Sequence, residues 1–209
     1  MILQEISEAL QKGNRKMVAA LVEQALSEGI AAKDILEQGL LDGMNIIGIK
    51  FKNSEVYVPE VLIAARAMNA GTEILKPKLQ SEGVKASGKV VLGTVKGDQH
   101  DIGKNLVRMM MEGQGLEVVD LGVDVDAEKF VDAAIENKAN IIACSALLTT
   151  TMDEMKRVVE VCQAKGIRDD VKIMIGGAPV TEAYCNAIGA DSYTDDAASA
   201  AEKAASFCK

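Results

Sequence analysis

The hydrophobic period of this chain changes once, near residue 80, and that change divides it into two folding patterns. Before it, apolar residues recur at helical spacing throughout. Ile2, Leu3, Ile6 and Leu10 form one stripe. Val18, Leu21, Val22, Ala25 and Leu26 form a second, with Gly29 following as a C-cap. Ile35, Leu36, Leu40, Met44 and Ile47 mark a third helix, with Asp34 near its start. A fourth begins near Tyr57, has Pro59 in its first turn and runs through Leu62, Ala65, Met68, Thr72 and Leu75. Four amphipathic helices with short connections predict a four-helix bundle over residues 1–80.

Residues 76–88 are polar and carry Pro77, Ser81, Gly83 and Ser87, which reads as a connecting segment with its linker proper at 81–88. Beyond it, short apolar runs alternate with helical patterns. Strands are expected at 89–95, 117–121, 140–145 and 171–175, with a weaker fifth at 190–193. Helices are expected at about 103–114, 127–137, 151–165, 181–188 and 196–207. Nearly continuous apolar strands alternating with helices predict a parallel sheet covered on both faces. Residues 89–209 therefore read as an α/β doubly wound, flavodoxin-like domain of five strands in the order 2-1-3-4-5.

The charge narrows the partners. A net charge of −8 argues against nucleic acid, which needs a basic surface. No run of about 20 apolar residues predicts a membrane span, and the N-terminus lacks the pattern of a secretion signal. The four cysteines have no CxxC spacing and read as reduced cytoplasmic thiols.

In an open α/β sheet, ligands bind beyond the carboxyl ends of the strands. Four unusual segments fall there: Gly97-Asp98-Gln99-His100-Asp101-Ile102-Gly103, the run from Ser145 to Thr151, Gly176-Gly177-Ala178-Pro179, and the run from Tyr193 to Ala197. His100 is the only histidine. A lone histidine is by itself most simply a surface or helix-capping imidazole, but this one follows Asp98 by two residues in a glycine-flanked loop. An imidazole that ligates a metal gives its other N–H to a carboxylate or carbonyl, and Asp98 is placed to accept it. A zinc site needs three or four ligands. A cofactor that brings most of its own ligands suits a single histidine better. Gly176-Gly177 allows close backbone approach by a bulky ligand or forms a plain strand-to-helix turn. One hydroxyl of the Ser145–Thr151 run is expected to cap the following helix.

Together these elements resemble the cobalamin-binding domain with its DxHxxG, SxL and GG elements, here Asp98 to Gly103, Ser145-Ala146-Leu147 and Gly176-Gly177. Forty-one residues separate Gly103 from Ser145, and twenty-eight separate Leu147 from Gly176. The helical half, with Gly43-Met44-Asn45, Gly48, Phe51 and Tyr57-Val58-Pro59-Glu60-Val61, resembles the helical cap of methionine synthase and of free-standing corrinoid proteins.

The resemblance implies roles residue by residue. His100 would be the lower ligand to cobalt, with Asp98 hydrogen-bonded to it. Thr151 would extend that relay, where methionine synthase has a serine. Ser145 and Thr149 would contact the displaced nucleotide tail, Gly176 and Gly177 would give it room, and Ala197 would offer a backbone contact. Gly97, Gln99, Asp101, Ile102, Gly103 and Leu147 complete the cofactor-binding set, and Glu37 would reach the corrin edge from the cap. Phe51, Tyr57, Val58 and Val61 would cover the upper face.

The implied cofactor is cobalamin or a related corrinoid, loaded as methylcobalamin. The implied function is a methyl carrier without catalysis of its own. Cobalt(I) takes the methyl group from a substrate:corrinoid methyltransferase, and methylcobalt(III) gives it to a second methyltransferase whose acceptor is tetrahydrofolate or a thiol such as coenzyme M. A reductive activase is the third expected partner, and the 76–88 segment is the expected hinge for cap movement. Methanol, methylamines, betaines and methoxylated aromatics are served by similar carriers; methoxyaromatic or quaternary amine donors are the expectation here. The alternative is a B12-based sensor, which would carry an output domain. A receiver module is disfavoured because strand three ends in Ser145 rather than a phosphoryl-accepting Asp, and an isomerase subunit is disfavoured by the cap.

Overall fold

The computed structural model describes residues 1–209. The chain forms two compact units, Met1–Ala86 with Gly113–Gly115, and Ser87–Glu112 with Leu116–Lys209.

The first unit is helical. α1 (Ile2–Gln11) and α2 (Arg15–Ser27) are joined by a tight turn, and Asn14 caps α2 by accepting the Met17 N–H at 3.2 Å. The third rod is continuous over 32–52. It begins as α3 (Ala32–Asp34), widens to a π-helix at Ile35–Leu41 and returns to α-helix as α4 (Asp42–Lys52). α5 (Val58–Ser81) starts at Tyr57, whose main-chain N–H donates to Glu60 Oε2 at 3.1 Å. The predicted stripes form the buried side: Ile6, Leu10, Val18, Val22, Ile35, Leu40, Ile47 and Leu75 are at most 1% exposed. Removing each large aliphatic side chain from water contributes about 1.5–3 kcal/mol, which compensates for the polar outer faces.

α5 runs further than the sequence reading placed it. It takes in 76–81 and contains Pro77, so the non-helical connection is only 82–88. Pro77 removes one backbone donor, but it is exposed, and water can satisfy the freed carbonyl.

The second unit is the expected parallel sheet. β1 (Lys89–Thr94), β2 (Glu117–Asp120), β3 (Ile141–Ser145), β4 (Lys172–Gly176) and β5 (Ser192–Tyr193) lie in the order β2-β1-β3-β4-β5, all parallel. The helices between them are α6 (Ile102–Glu112), α7 (Ala127–Asn137), α8 (Asp153–Ala164), α9 (Glu182–Ile188) and α10 (Ala197–Phe207). Val91, Ile142, Ile173, Phe130 and Met155 are fully buried between sheet and helices. The register matters for function. Thr94 pairs with Ser145, and Ser145 with Gly176. Three strands thus end level, and the segments after them emerge on one edge of the sheet.

Candidate functional site

The site is built where β1 ends. Thr94 is fully buried at its last position, and the chain turns at Gly97, whose φ is +79°. The turn carries Asp98 inward until it is 0% exposed. A buried carboxylate is costly unless its oxygens are hydrogen-bonded, and here both are. Oδ1 accepts the His100 ring Nδ1 at 2.7 Å and the His100 main-chain N–H at 3.1 Å. Oδ2 accepts the Leu147 N–H at 2.7 Å, the Leu148 N–H at 3.1 Å and the Thr151 hydroxyl at 3.1 Å.

Burial alone would push the Asp98 carboxyl upward. The hydrogen bonds from Leu147, the His100 ring, the His100 main chain and Leu148 outweigh it and hold the group well below the usual carboxylate range. Asp98 is therefore ionised. An ionised carboxylate only accepts, so the His100 Nδ1 is the donor in this contact. The imidazole is half exposed, with Nε2 on the side away from Asp98. The Thr94 hydroxyl fixes the same residue from behind by donating to the His100 carbonyl at 2.9 Å.

The helix cap expected from one hydroxyl of the Ser145–Thr151 run is absent. Residues Thr149–Thr151 form a 3-10 turn ahead of α8, which has no side-chain cap. The Thr151 hydroxyl instead lies 3.1 Å from Asp98 Oδ2 and 2.9 Å from the Leu148 carbonyl. It has one proton, so it serves one acceptor at a time. The hydroxyls of Ser145 and Thr149 have no partner within the protein.

The edge around His100 is apolar and open. Ile102 is 77% exposed, Leu147 44% and Leu148 40%. A Cβ built on Gly176 would meet nothing within 4 Å. Gly177 is required for a different reason: its φ is +131°, and a Cβ there would sit 1.8 Å from the Ala146 carbonyl oxygen. Gly97, Gln99, Asp101 and Gly103 lie in the His100 loop or at the start of α6, with Asp101 tied to Asn105 at 3.0 Å. Ala197 opens α10, where the Asp196 carboxylate accepts the Ser199 N–H at 2.8 Å.

The remaining expected residues belong to the helical unit. Glu37 is exposed on the π-helical segment, 3.7 Å from Lys33. Tyr57 is exposed at the start of α5, and Phe51 and Val58 are half-buried. Val61 is fully buried, which leaves it no surface for a ligand in this conformation.

Sequence reasoning did not find Thr94, Leu148 or Asp124 as parts of the site. Leu148 acts through its main-chain N–H, and no side-chain pattern signals that. Thr94 looked like one more strand residue, although a buried hydroxyl at a strand's last position is a signal. Asp124 accepts the Gly97 N–H at 2.7 Å from a loop 27 residues away.

Comparison with known proteins adds the family context. Residues 88–204 match the model described as a B12 binding domain, and residues 2–76 match a second model of that description. The dimethylamine corrinoid protein of Methanosarcina barkeri is 43% identical over 205 residues, 97% of this chain and 95% of that protein. The crystal structure of the methanol:cobalamin methyltransferase complex MtaBC from Methanosarcina barkeri contains a similar chain, with a TM-score of 0.89 and 30% identity over 99% of this chain and 79% of that one. A cobalamin-binding protein from Desulfitobacterium hafniense DCB-2, solved at 1.5 Å, gives a TM-score of 0.81 and 32% identity over 98% of each chain.

Proposed function

This chain belongs to the family of two-module B12-binding corrinoid proteins, and from that premise we propose that it carries a methyl group between methyltransferases on a corrinoid held at His100. The single observation that carries the site is the Asp98–His100 pair: an ionised, buried carboxylate fixes Nδ1 and leaves Nε2 open at the carboxyl edge of the sheet.

The residues present fit a corrinoid. The exposed Ile102, Leu147 and Leu148 suit the face of a large, mostly apolar ring system. The empty space over Gly176 and the unpartnered hydroxyls of Ser145 and Thr149 suit a polar tail that enters the sheet edge. When bound, the corrinoid supplies a cobalt centre that accepts and releases a methyl group.

The chain's own residues bind, orient and tune. His100 would hold the cobalt through Nε2, in place of the cofactor's own base. Asp98 holds the proton on Nδ1 and strengthens the nitrogen as a donor. The Thr151 hydroxyl can turn between Asp98 Oδ2 and the Leu148 carbonyl, so it changes the electron density on Asp98 without leaving its place. Ser145, Thr149 and the Gly176-Gly177 turn hold the tail, and Ala197 meets it through its backbone. Residues 1–80 are the cap module, to which Glu37, Phe51, Tyr57 and Val58 belong; 81–88 connect it to the B12-binding domain at 89–209. No helix is long and apolar enough to cross a membrane.

The partners follow from the chemistry. One methyltransferase loads the carrier, a second unloads it, and a reductive activase restores oxidised cobalt. The name of the dimethylamine relative moves the donor toward a methylamine, away from the methoxyaromatic or quaternary amine expected at first. A sensor role is not favoured, because one relative is named a dimethylamine corrinoid protein and a similar chain belongs to a methanol:cobalamin methyltransferase complex. The test is to reconstitute the chain with cobalamin, reduce it, and add a dimethylamine-specific methyltransferase with its donor. Loss of the cobalt(I) absorption band at the rate of donor consumption supports the carrier role. A band that persists with every methylamine, methanol and methoxyaromatic system removes it.

A further inference from the structure

Asp124 lies in the loop between β2 and α7 with a φ of +54°. That is the left-handed region, which costs a residue with a side chain roughly 1 kcal/mol or more. Two hydrogen bonds accompany it. The Asp124 carboxylate accepts the Gly97 N–H at 2.7 Å. Its main-chain N–H donates to the Asp98 carbonyl at 3.0 Å. One residue therefore holds the two consecutive residues that set the height and direction of the Asp98 side chain.

The loop that carries Asp124 is itself anchored. The Gly122 carbonyl accepts the Thr94 N–H, and the Val125 N–H donates to the Thr94 carbonyl, each at 3.0 Å. At its start, Asp120 receives the Lys104 ammonium at 2.7 Å on both oxygens and the Gly122 N–H at 3.0 Å. The Lys104 side chain is only 2% exposed, so this ion pair is shielded. The chain thus runs from an ion pair with a buried ammonium through a fixed loop to the backbone beneath Asp98.

We propose that Asp124 is a positioning residue for the axial ligand: it fixes the backbone at Gly97 and Asp98 so that Asp98 holds His100 at the angle needed to reach cobalt. This rests on the corrinoid-binding reading above. The Asp98 carboxylate keeps its own five donors without Asp124. What is lost is the fixed origin from which it acts, and a ligand's geometry must be held within about 0.5 Å to function.

The test compares Asp124→Gly and Asp124→Asn in the full chain reconstituted with aquocobalamin and reduced to cobalt(II). Glycine tolerates the left-handed backbone but removes the acceptor. Asparagine tolerates it and retains an acceptor oxygen. The readout is the nitrogen coupling of the axial ligand by electron paramagnetic resonance, beside thermal unfolding of the apo chain. Asp124→Gly should lower the ratio of histidine-bound to histidine-free cobalt by about tenfold, as loss of one hydrogen bond to a charged group implies. Asp124→Asn should keep the wild-type ratio, and both apo variants should unfold in one transition. A wild-type ratio in Asp124→Gly, or equal loss in both variants, overturns the proposal. Failure of the ligation reading looks different: wild-type protein would show no histidine coupling, and both readings would fall.

Discussion

One carboxylate oxygen of Asp98 accepts both the ring Nδ1 of His100 at 2.7 Å and the His100 main-chain N–H at 3.1 Å. The imidazole is therefore oriented before any cofactor arrives, and its free nitrogen is set by geometry within a three-residue loop. The other Asp98 oxygen ties the same loop to the turn after β3. One side chain joins the two strands that flank the switch point of the sheet.

Replacing Asp98 by Ala should destabilise the apo chain by about 3 kcal/mol, because the Leu147 and Leu148 N–H groups lose their acceptor in a buried place. Urea unfolding of apo protein checks this. Stability unchanged within error would mean that water replaces the carboxylate there.

The two glycines after β4 should behave oppositely. Gly177→Ala should cost about 3 kcal/mol or more, since its Cβ would overlap the Ala146 carbonyl. Gly176→Ala faces open space and should fold as the wild type does, yet retain corrinoid less well. Thermal unfolding of the apo chains, followed by gel filtration after reconstitution, separates the two effects.

Thr151→Val should lose about 1 kcal/mol of stability, and Thr151→Ser should recover most of it. If the hydroxyl also tunes the ligand, the valine variant will shift the cobalt(II)/cobalt(I) midpoint potential while the serine variant will not. Equal potentials in all three proteins would limit Thr151 to a structural role.

The pH dependence has a definite sign. Both Asp98 and Asp120 are lowered in the folded chain: burial opposes each shift, and hydrogen bonds outweigh it, from Leu147 and His100 for Asp98 and chiefly from Lys104 for Asp120. Groups lowered in the folded state contribute stability that is full above their unfolded value, about 3.9, and is lost as the pH falls below it. The apo unfolding midpoint should hold from pH 7 to about 5 and drop toward pH 3. Asp98→Ala should start lower and lose less over the same range.

Much of this was legible in the sequence, for identifiable reasons. Helical stripes such as Ile35, Leu40, Met44 and Ile47 become buried faces, and the apolar runs become strands in the expected order. The π-helical widening at Ile35–Leu41 was not legible, because a longer hydrogen-bond step leaves the apolar spacing almost unchanged. Pro77 suggested a helix end, yet an exposed proline near a helix terminus sacrifices only a bond that water replaces. In the site, Asp98 and His100 lie close in sequence and were found. Thr151 enters by resemblance alone, and the cap expected of its run is absent because α8 starts without a side-chain acceptor. Asp124 and the Leu148 N–H reach the loop through the fold alone, across 27 and 50 residues.

His100 is the only histidine in the chain, so labelling all histidine with nitrogen-15 labels one residue. The decisive measurement is the electron paramagnetic resonance spectrum of the labelled, cobalamin-loaded protein in its cobalt(II) state. Ligation by His100 predicts that each three-line nitrogen splitting of the unlabelled protein becomes two lines. A three-line pattern that survives labelling would mean that the cofactor's own base remains bound, and the account of this site would be contradicted.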